Sequence, residues 1–135
     1  MNNTLNYSPE TFRELAKRLV HARKPPSRRN DTVGTRVFRA HFGICWDGCA
    51  DVWNPLVMVM MEKDEESLKN MKAEYLLWML LHLHVYPNEH IMESMIGKTA
   101  KTIREKIRLM MYGMNMLSVE LVSLCVAKWN NKNLE

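Results

Sequence analysis

Asn88-Glu89-His90-Ile91-Met92-Glu93-Ser94-Met95-Ile96-Gly97-Lys98-Thr99-Ala100-Lys101-Thr102-Ile103-Arg104-Glu105-Lys106-Ile107-Arg108-Leu109-Met110-Met111-Tyr112-Gly113 is the stretch on which the fold turns. Pro87-Asn88-Glu89 opens a short helix, with Asn88 able to satisfy a free backbone N–H of the first turn, and Gly97 ends it. Thr99 caps a second helix, in which Lys101, Thr102, Arg104, Lys106 and Arg108 alternate with Ile103, Ile107 and Met110. The apolar residues recur every three or four positions, so one side is sunk in a core and the cations stay outside. Gly113 is predicted to close this second helix. A short helix, a glycine turn and a cationic helix form a helix-turn-helix, expected over residues 88–113.

Such a unit braces its first helix on the DNA backbone and offers the start of its second to the major groove. Lys98, Thr99, Lys101, Thr102, Arg104 and Arg108 are therefore the candidate DNA-binding residues here. Lys and Arg neutralise phosphates, Thr bonds a phosphate or a base edge, and the free N–H groups of a helix start attract an anion. The strict bacterial spacing asks for a small residue four before the turn glycine, where this chain has Glu93. It also asks for an apolar residue just after, where this chain has Lys98. A looser turn is expected.

Working towards the amino terminus, Tyr75 to Leu83 is apolar on nearly every side, which predicts a central buried helix over about Leu68 to Val85. Ser67 or Asp64 can cap it. His82 and His84, two apart, do not share a helix face and are read as helix-end residues, not ligands. Trp46 to Met61 reads as another long helix, with Asp47 near its cap and Pro55 expected to kink or divide it. Arg36 to Phe42 is a short helix ended by Gly43. Ser8-Pro9-Glu10 starts a helix that runs to about Ala22, with Phe12, Leu15, Ala16, Leu19 and Val20 inward and Arg13, Lys17 and Arg18 outward.

Between these helices lies His21-Ala22-Arg23-Lys24-Pro25-Pro26-Ser27-Arg28-Arg29-Asn30, a basic, proline-broken arm. Arg23, Lys24, Arg28 and Arg29 suit phosphates, a minor groove or a nuclear-import patch, or simply a solvated loop. The chain divides into residues 1–32, helix plus arm, and residues 33–135, the helical domain. Towards the carboxyl terminus, Val119, Leu121, Val122, Leu124 and Val126 fit a strand as well as a helix. The fold class is all-α, a multi-helix bundle with room for one short carboxyl-terminal strand.

Charge supports the same direction. Residues 1–45 hold nine Lys/Arg against three acids, residues 46–75 three against seven, and residues 76–135 seven against five. A basic front beside an acidic middle suits a polyanion on one side. The three cysteines, Cys45, Cys49 and Cys125, make no paired-cysteine motif. His41, Cys45 and Cys49 are four apart, a thin zinc pattern, and free buried thiols in a reducing compartment are the plainer reading. The twelve methionines read as adaptable core filler, or as a docking groove around Met110, Met111, Met114 and Met116. No secretory signal is expected from the polar start. The longest apolar run, Tyr75 to Leu81, is far short of a membrane span, so a soluble intracellular chain without a membrane partner is expected.

Several phrases, in order, resemble the amino-terminal region of Harbinger-like transposases. They are Phe38-Arg39-Ala40-His41-Phe42-Gly43, then Cys49-Ala50-Asp51-Val52-Trp53-Asn54, then Tyr75-Leu76-Leu77-Trp78-Met79-Leu80-Leu81-His82-Leu83-His84-Val85-Tyr86. Lys101-Thr102-Ile103-Arg104 is similar to a Lys-Thr-aromatic-Arg segment of that family, with Ile103 at the aromatic position. Trp129-Asn130-Asn131-Lys132 is similar to its Trp-x-Asn-Arg phrase, with Lys132 in place of Arg. The resemblance covers residues 33–132. It implies a DNA-binding helix-turn-helix without the family's catalytic domain, whose three metal-holding carboxylates would lie past Glu135. Neither a phosphate loop nor a Ser/His/Asp order is present, so no catalysis, cofactor, metal or small-molecule substrate is expected. The expected function is a nuclear, non-catalytic DNA-binding protein: a domesticated transposase-like fragment, or an accessory subunit that brings double-stranded DNA to a catalytic protein partner. A helical protein-interaction module that scaffolds a complex is the alternative.

Overall fold

The computed structural model describes residues 7–22 and 32–134. Among them are seven helices and no strand: α1 (Pro9–Val20), α2 (Thr35–Phe42), α3 (Trp46–Lys63), α4 (Glu65–Leu68), α5 (Ala73–His84), α6 (Glu89–Ile96) and α7 (Ala100–Leu134). The basic arm with Arg23, Lys24, Arg28 and Arg29 lies outside the described residues.

Most ends follow local chemistry. Pro9 sits at the start of α1, where its missing N–H costs nothing. Gly43 and Gly97 close α2 and α6 in the left-handed conformation, at φ 83° and 79°. There a Cβ would crowd the following carbonyl, so glycine is favoured. Asp47 lies in the first turn of α3, but the cap position belongs to Cys45 and no side chain bonds there.

Three readings of the sequence need correction. Pro55 lies inside a continuous α3. Proline removes the N–H that would bond the carbonyl four residues back, and both Pro55 and Asp51 are exposed, so water can serve that carbonyl. Second, the helix expected over 68–85 begins only at Ala73, and Leu68 ends the separate short helix α4. The chain turns at Lys69 and Asn70, which sends the Met71 side chain into the core before α5 begins.

The third correction is the largest. α7 does not stop at Gly113, and residues 117–128 are helical, not strand. A Cβ at Gly113 would lie 2.9 Å from Met71 Cε and 3.0 Å from Leu56 Cδ1. The residue is thus a packing notch, where α7 draws close to α3 and to the turn before α5. The helix is one unbroken rod of 35 residues, about 52 Å long at 1.5 Å per residue. It also sets aside the expectation that no segment is long and apolar enough to span a membrane. The stretch Ala100–Asn131 meets that test by length and composition, with a window of mean hydropathy 1.5 that is 17% buried.

The core forms around α3 and α5. Tyr75, Leu76, Leu77, Trp78, Met79 and Leu81 make α5 buried on nearly all sides, and α1, α2, α3 and α7 pack on it. α3 contributes Trp53, Leu56, Val57 and Met60 between α1 and α7. Phe12, Ala16, Leu19 and Val20 put α1 into the same core. Tyr7 stacks on Trp53 at 5.6 Å, and its backbone exchanges bonds with the Asn54 amide at 3.0 and 3.2 Å. Phe38 meets Phe42 at 4.7 Å and Trp46 edge-on at 5.4 Å, which fixes α2 to the start of α3.

α7 is tied down at the α3–α4 corner. Asp64 caps α4 by accepting from Ser67 N at 3.1 Å, and Tyr112 donates its hydroxyl to the same carboxylate at 2.6 Å. The Tyr112 bond, then the Ser67 bonds, hold the Asp64 carboxyl below the ordinary carboxylate value of 3.8. A lowered folded value means that Asp64 stabilises the fold above the unfolded pKa, and that this contribution is lost as pH falls through the lowered value. In Tyr112→Phe the Asp64 carboxyl is expected to titrate closer to 3.8, followed by its carboxyl carbon resonance against pH. An unchanged titration would mean that the Tyr112 bond is not formed in solution.

Candidate functional site

α6 and α7 are joined by three residues, Gly97, Lys98 and Thr99. Asn88 Oδ1 accepts from Ile91 N at 2.9 Å and fixes the start of α6. Gly97 N donates to Glu93 O at 2.8 Å and closes it. Thr99 Oγ1 accepts from Thr102 N at 3.3 Å and donates to Thr102 Oγ1 at 3.0 Å, so Thr99 begins α7 as its sequence position implies. Ile103, Ile107 and Met110 are buried, which sets the rotation of α7 and turns the polar residues outward.

That rotation divides the candidate residues. Lys101 and Arg108 are exposed and point away from the core. Thr102, four residues from Lys106, flanks the core on one side. Arg104 flanks it on the other and forms an ion pair with Glu89 of α6. Both partners of that pair are at least half exposed, so it is worth at most about 1 kcal/mol. Its effect on charge matters more, because Glu89 neutralises Arg104 locally. Among the described residues, Lys98, Lys101 and Arg108 form no ion pair, and Thr99 and Thr102 lie beside them, whereas Arg104 is bound to Glu89.

A hollow of about 500 Å³ opens beside Thr102, between α1, α5 and α7. Among the described residues, Arg18, Lys72, Lys98 and Lys106 line it, with Glu74 as the one acid, over the buried rings of Tyr75 and Trp78. The Lys106 ammonium stands 5.4 Å from the Tyr75 ring centre, an attraction to the π face that does not neutralise its charge. Four cations against one carboxylate make this a net-positive concavity next to the positive end of a helix. Its geometry suits a phosphate or a run of phosphates.

Sequence reasoning missed Arg18 and Lys72 as members of this group, since they come from elements 80 and 26 residues before Lys98. Lys106 was within reach: it follows Thr102 by four, on one side of α7, and Lys98 lies in the turn just before that helix. Arg13, by contrast, is structural. Its Nε donates to Val33 O at 3.0 Å, and its guanidinium lies 4.9 Å from the Trp46 ring centre.

The cysteines and histidines build no centre. His41 Nδ1 donates to Val37 O at 2.8 Å, Cys49 is buried, and burial, then the neighbouring Cys45, pushes the Cys49 thiol up to about 12. Such a thiol is a poor nucleophile and a poor ligand. Among the described residues no three His, Cys, Asp or Glu side chains are grouped as a metal would need. The methionines divide too: Met110 is fully buried, Met114 and Met116 are half-buried, and Met111 is the exposed member of that set. Compared with known proteins, the chain matches no family model, no curated protein and no solved structure.

Proposed function

We propose that this chain is a non-catalytic DNA-binding protein that uses α6, the Gly97–Thr99 turn and the first turns of α7 as a helix-turn-helix. One observation carries the reading: Arg18, Lys72, Lys98 and Lys106 converge on one hollow, against the single acid Glu74, beside the start of a helix whose apolar side is fixed in the core. A cation cluster on a rigid platform suits a repeating polyanion better than a small ligand, because each phosphate can be met in register. Lys98, Lys106, Arg18 and Lys72 then hold the backbone of the duplex. Lys101 and Arg108 meet phosphates at the edge of the groove, and Thr102 faces the groove itself.

The resemblance of residues 33–132 to the amino-terminal region of Harbinger-like transposases points the same way. It adds the proposals that the chain works in the nucleus, as a transposase-like fragment or an accessory subunit, and that a catalytic partner does the chemistry. The basic arm with Arg23, Lys24, Arg28 and Arg29 belongs to this reading as a charge-only contact. Titrating the pure chain with duplex DNA at two salt concentrations tests it: binding that weakens steeply with salt supports DNA recognition, and binding that is absent or indifferent to salt refutes it.

A protein-interaction module is the second reading, and one observation favours it. Past Leu117, Val119, Leu121, Val122, Leu124, Val126 and Trp129 of α7 are all more than half exposed. The surface is not the methionine groove expected from the sequence, since Met110 is in the core.

A further inference from the structure

A second hollow, of about 290 Å³, opens on the Arg104 side of α7, between the end of α5, α6 and the first turns of α7. Its floor is apolar: Met92, Ile103 and Ile107 line it and are buried. Ala100, the first residue of α7, also lines it, and so small a side chain leaves the space open. Pro87 closes it on the α5 side. The residue before that proline, Tyr86, holds φ at 56°, a left-handed conformation that is unfavourable for a bulky side chain. Such strain persists only where the surrounding structure fixes the backbone, and it recurs at ligand clamps.

The charges around the hollow select the ligand's polar end. Among the described residues lining it, Arg104 and Arg108 bring two positive charges and Glu89 brings one negative. The two arginines are four residues apart, neighbours on one side of the helix. Glu89 meets Arg104 at Nη1. A guanidinium carries five N–H donors in a planar fork, so that pair does not exhaust Arg104. One net positive charge is what a single carboxylate balances, and a second anionic group would meet Glu89 instead of a cation.

The floor selects the rest. A phosphate would lose its water against Met92 and Ile103 and gain no partner there, which separates this hollow from the cationic one beside Thr102. Met92 and Met111, which also lines the hollow, offer polarizable sulfur to the edge of an aromatic ring, and a guanidinium plane stacks on such a ring. The volume lies at the lower end of small-ligand pockets, about 300–1,000 Å³, so one ring or a fused pair fills it. We propose that this hollow binds a small aromatic monocarboxylate, with its ring against Met92, Ile103, Ile107 and Met111 and its carboxylate on Arg108 and Arg104. Nothing in this recognition requires DNA.

Methyl NMR of the intact chain, titrated with naphthoate, tests this. The methyl resonances of Met92, Ile103, Ile107 and Met111 are expected to shift together and to saturate, while that of Met58, exposed on α3, stays in place. The uncharged amide of the same ring is expected to bind about tenfold more weakly, the scale of a lost charge-assisted hydrogen bond. Arg108→Gln is expected to weaken naphthoate severalfold and to leave the amide unchanged. Glu89→Gln is expected to tighten naphthoate, since it unpairs Arg104. Both substituted side chains are exposed, so the thermal midpoint without ligand is expected to stay close to that of the wild type. The proposal is overturned if the four methyls show no saturable shift, if Met58 shifts as they do, if acid and amide bind alike, or if neither substitution changes the affinity for naphthoate.

Discussion

Ile103→Ala is expected to destabilise the protein by about 2–5 kcal/mol, the cost of a cavity where a large aliphatic side chain is removed from a packed core. Ile103 is 3% exposed and lies one turn into α7, beside Ile107 and above Met110. It anchors the helix start that carries Lys101 and Thr102. Against a total of about 5–15 kcal/mol, the loss is a large share of the stability. Lys101→Ala, on the opposite side of the same turn, is expected to change stability by about 0.5 kcal/mol or less. Urea unfolding measures both. A lower midpoint with an unchanged slope for Ile103→Ala, and no change for Lys101→Ala, is the expected pair. Equal effects would mean that α7 is rotated differently about its axis.

The second large effect is on DNA. Arg18→Gln, Lys72→Gln, Lys98→Gln and Lys106→Gln together remove the four cations of the hollow and keep most of their aliphatic length. Each lost phosphate contact lowers the logarithmic salt slope by about 0.9, so the four together lower it by about 3.6. A fourfold rise in salt then weakens the variant by roughly 150 times less than it weakens the wild type. Arg104→Ala is expected to change the slope much less than any one of the four, because Glu89 already offsets that charge. Fluorescence anisotropy with a labelled duplex reads both. If the quadruple variant folds and keeps the wild-type slope, the hollow does not hold phosphates.

The features visible in the sequence were those decided by neighbours along the chain. Asn88, Gly97, Thr99 and Gly43 act on backbone groups within four residues, and the structure uses each where its chemistry points. The inward pattern of α1 and of the start of α7 has a single period and was equally readable. Features decided by distant partners were hidden. Gly113 looks like a terminator until Leu56 and Met71 are known to press on it. Pro55 looks like a break until its side of α3 is known to face water. Val119, Val122 and Val126 favour a strand locally, yet α7 is already under way, and adding one more helical residue needs no new nucleus. The hollow draws its cations from α1, the turn before α5, the α6–α7 turn and α7, so no local pattern could assemble it. The Arg104–Glu89 pair, fifteen residues apart, left no local trace either.

DNA recognition by the cationic face around the start of α7 is the central claim, and the salt dependence of wild-type binding tests it most directly. The four cations of the hollow with Lys101 and Arg108 amount to six phosphate contacts, a slope of about −5 on logarithmic axes. Affinity for a plain duplex is thus expected to fall by roughly a thousandfold as salt rises from about 50 to about 200 mM. Binding that is undetectable at the lower salt, or that changes by less than about twofold across that range, would contradict it.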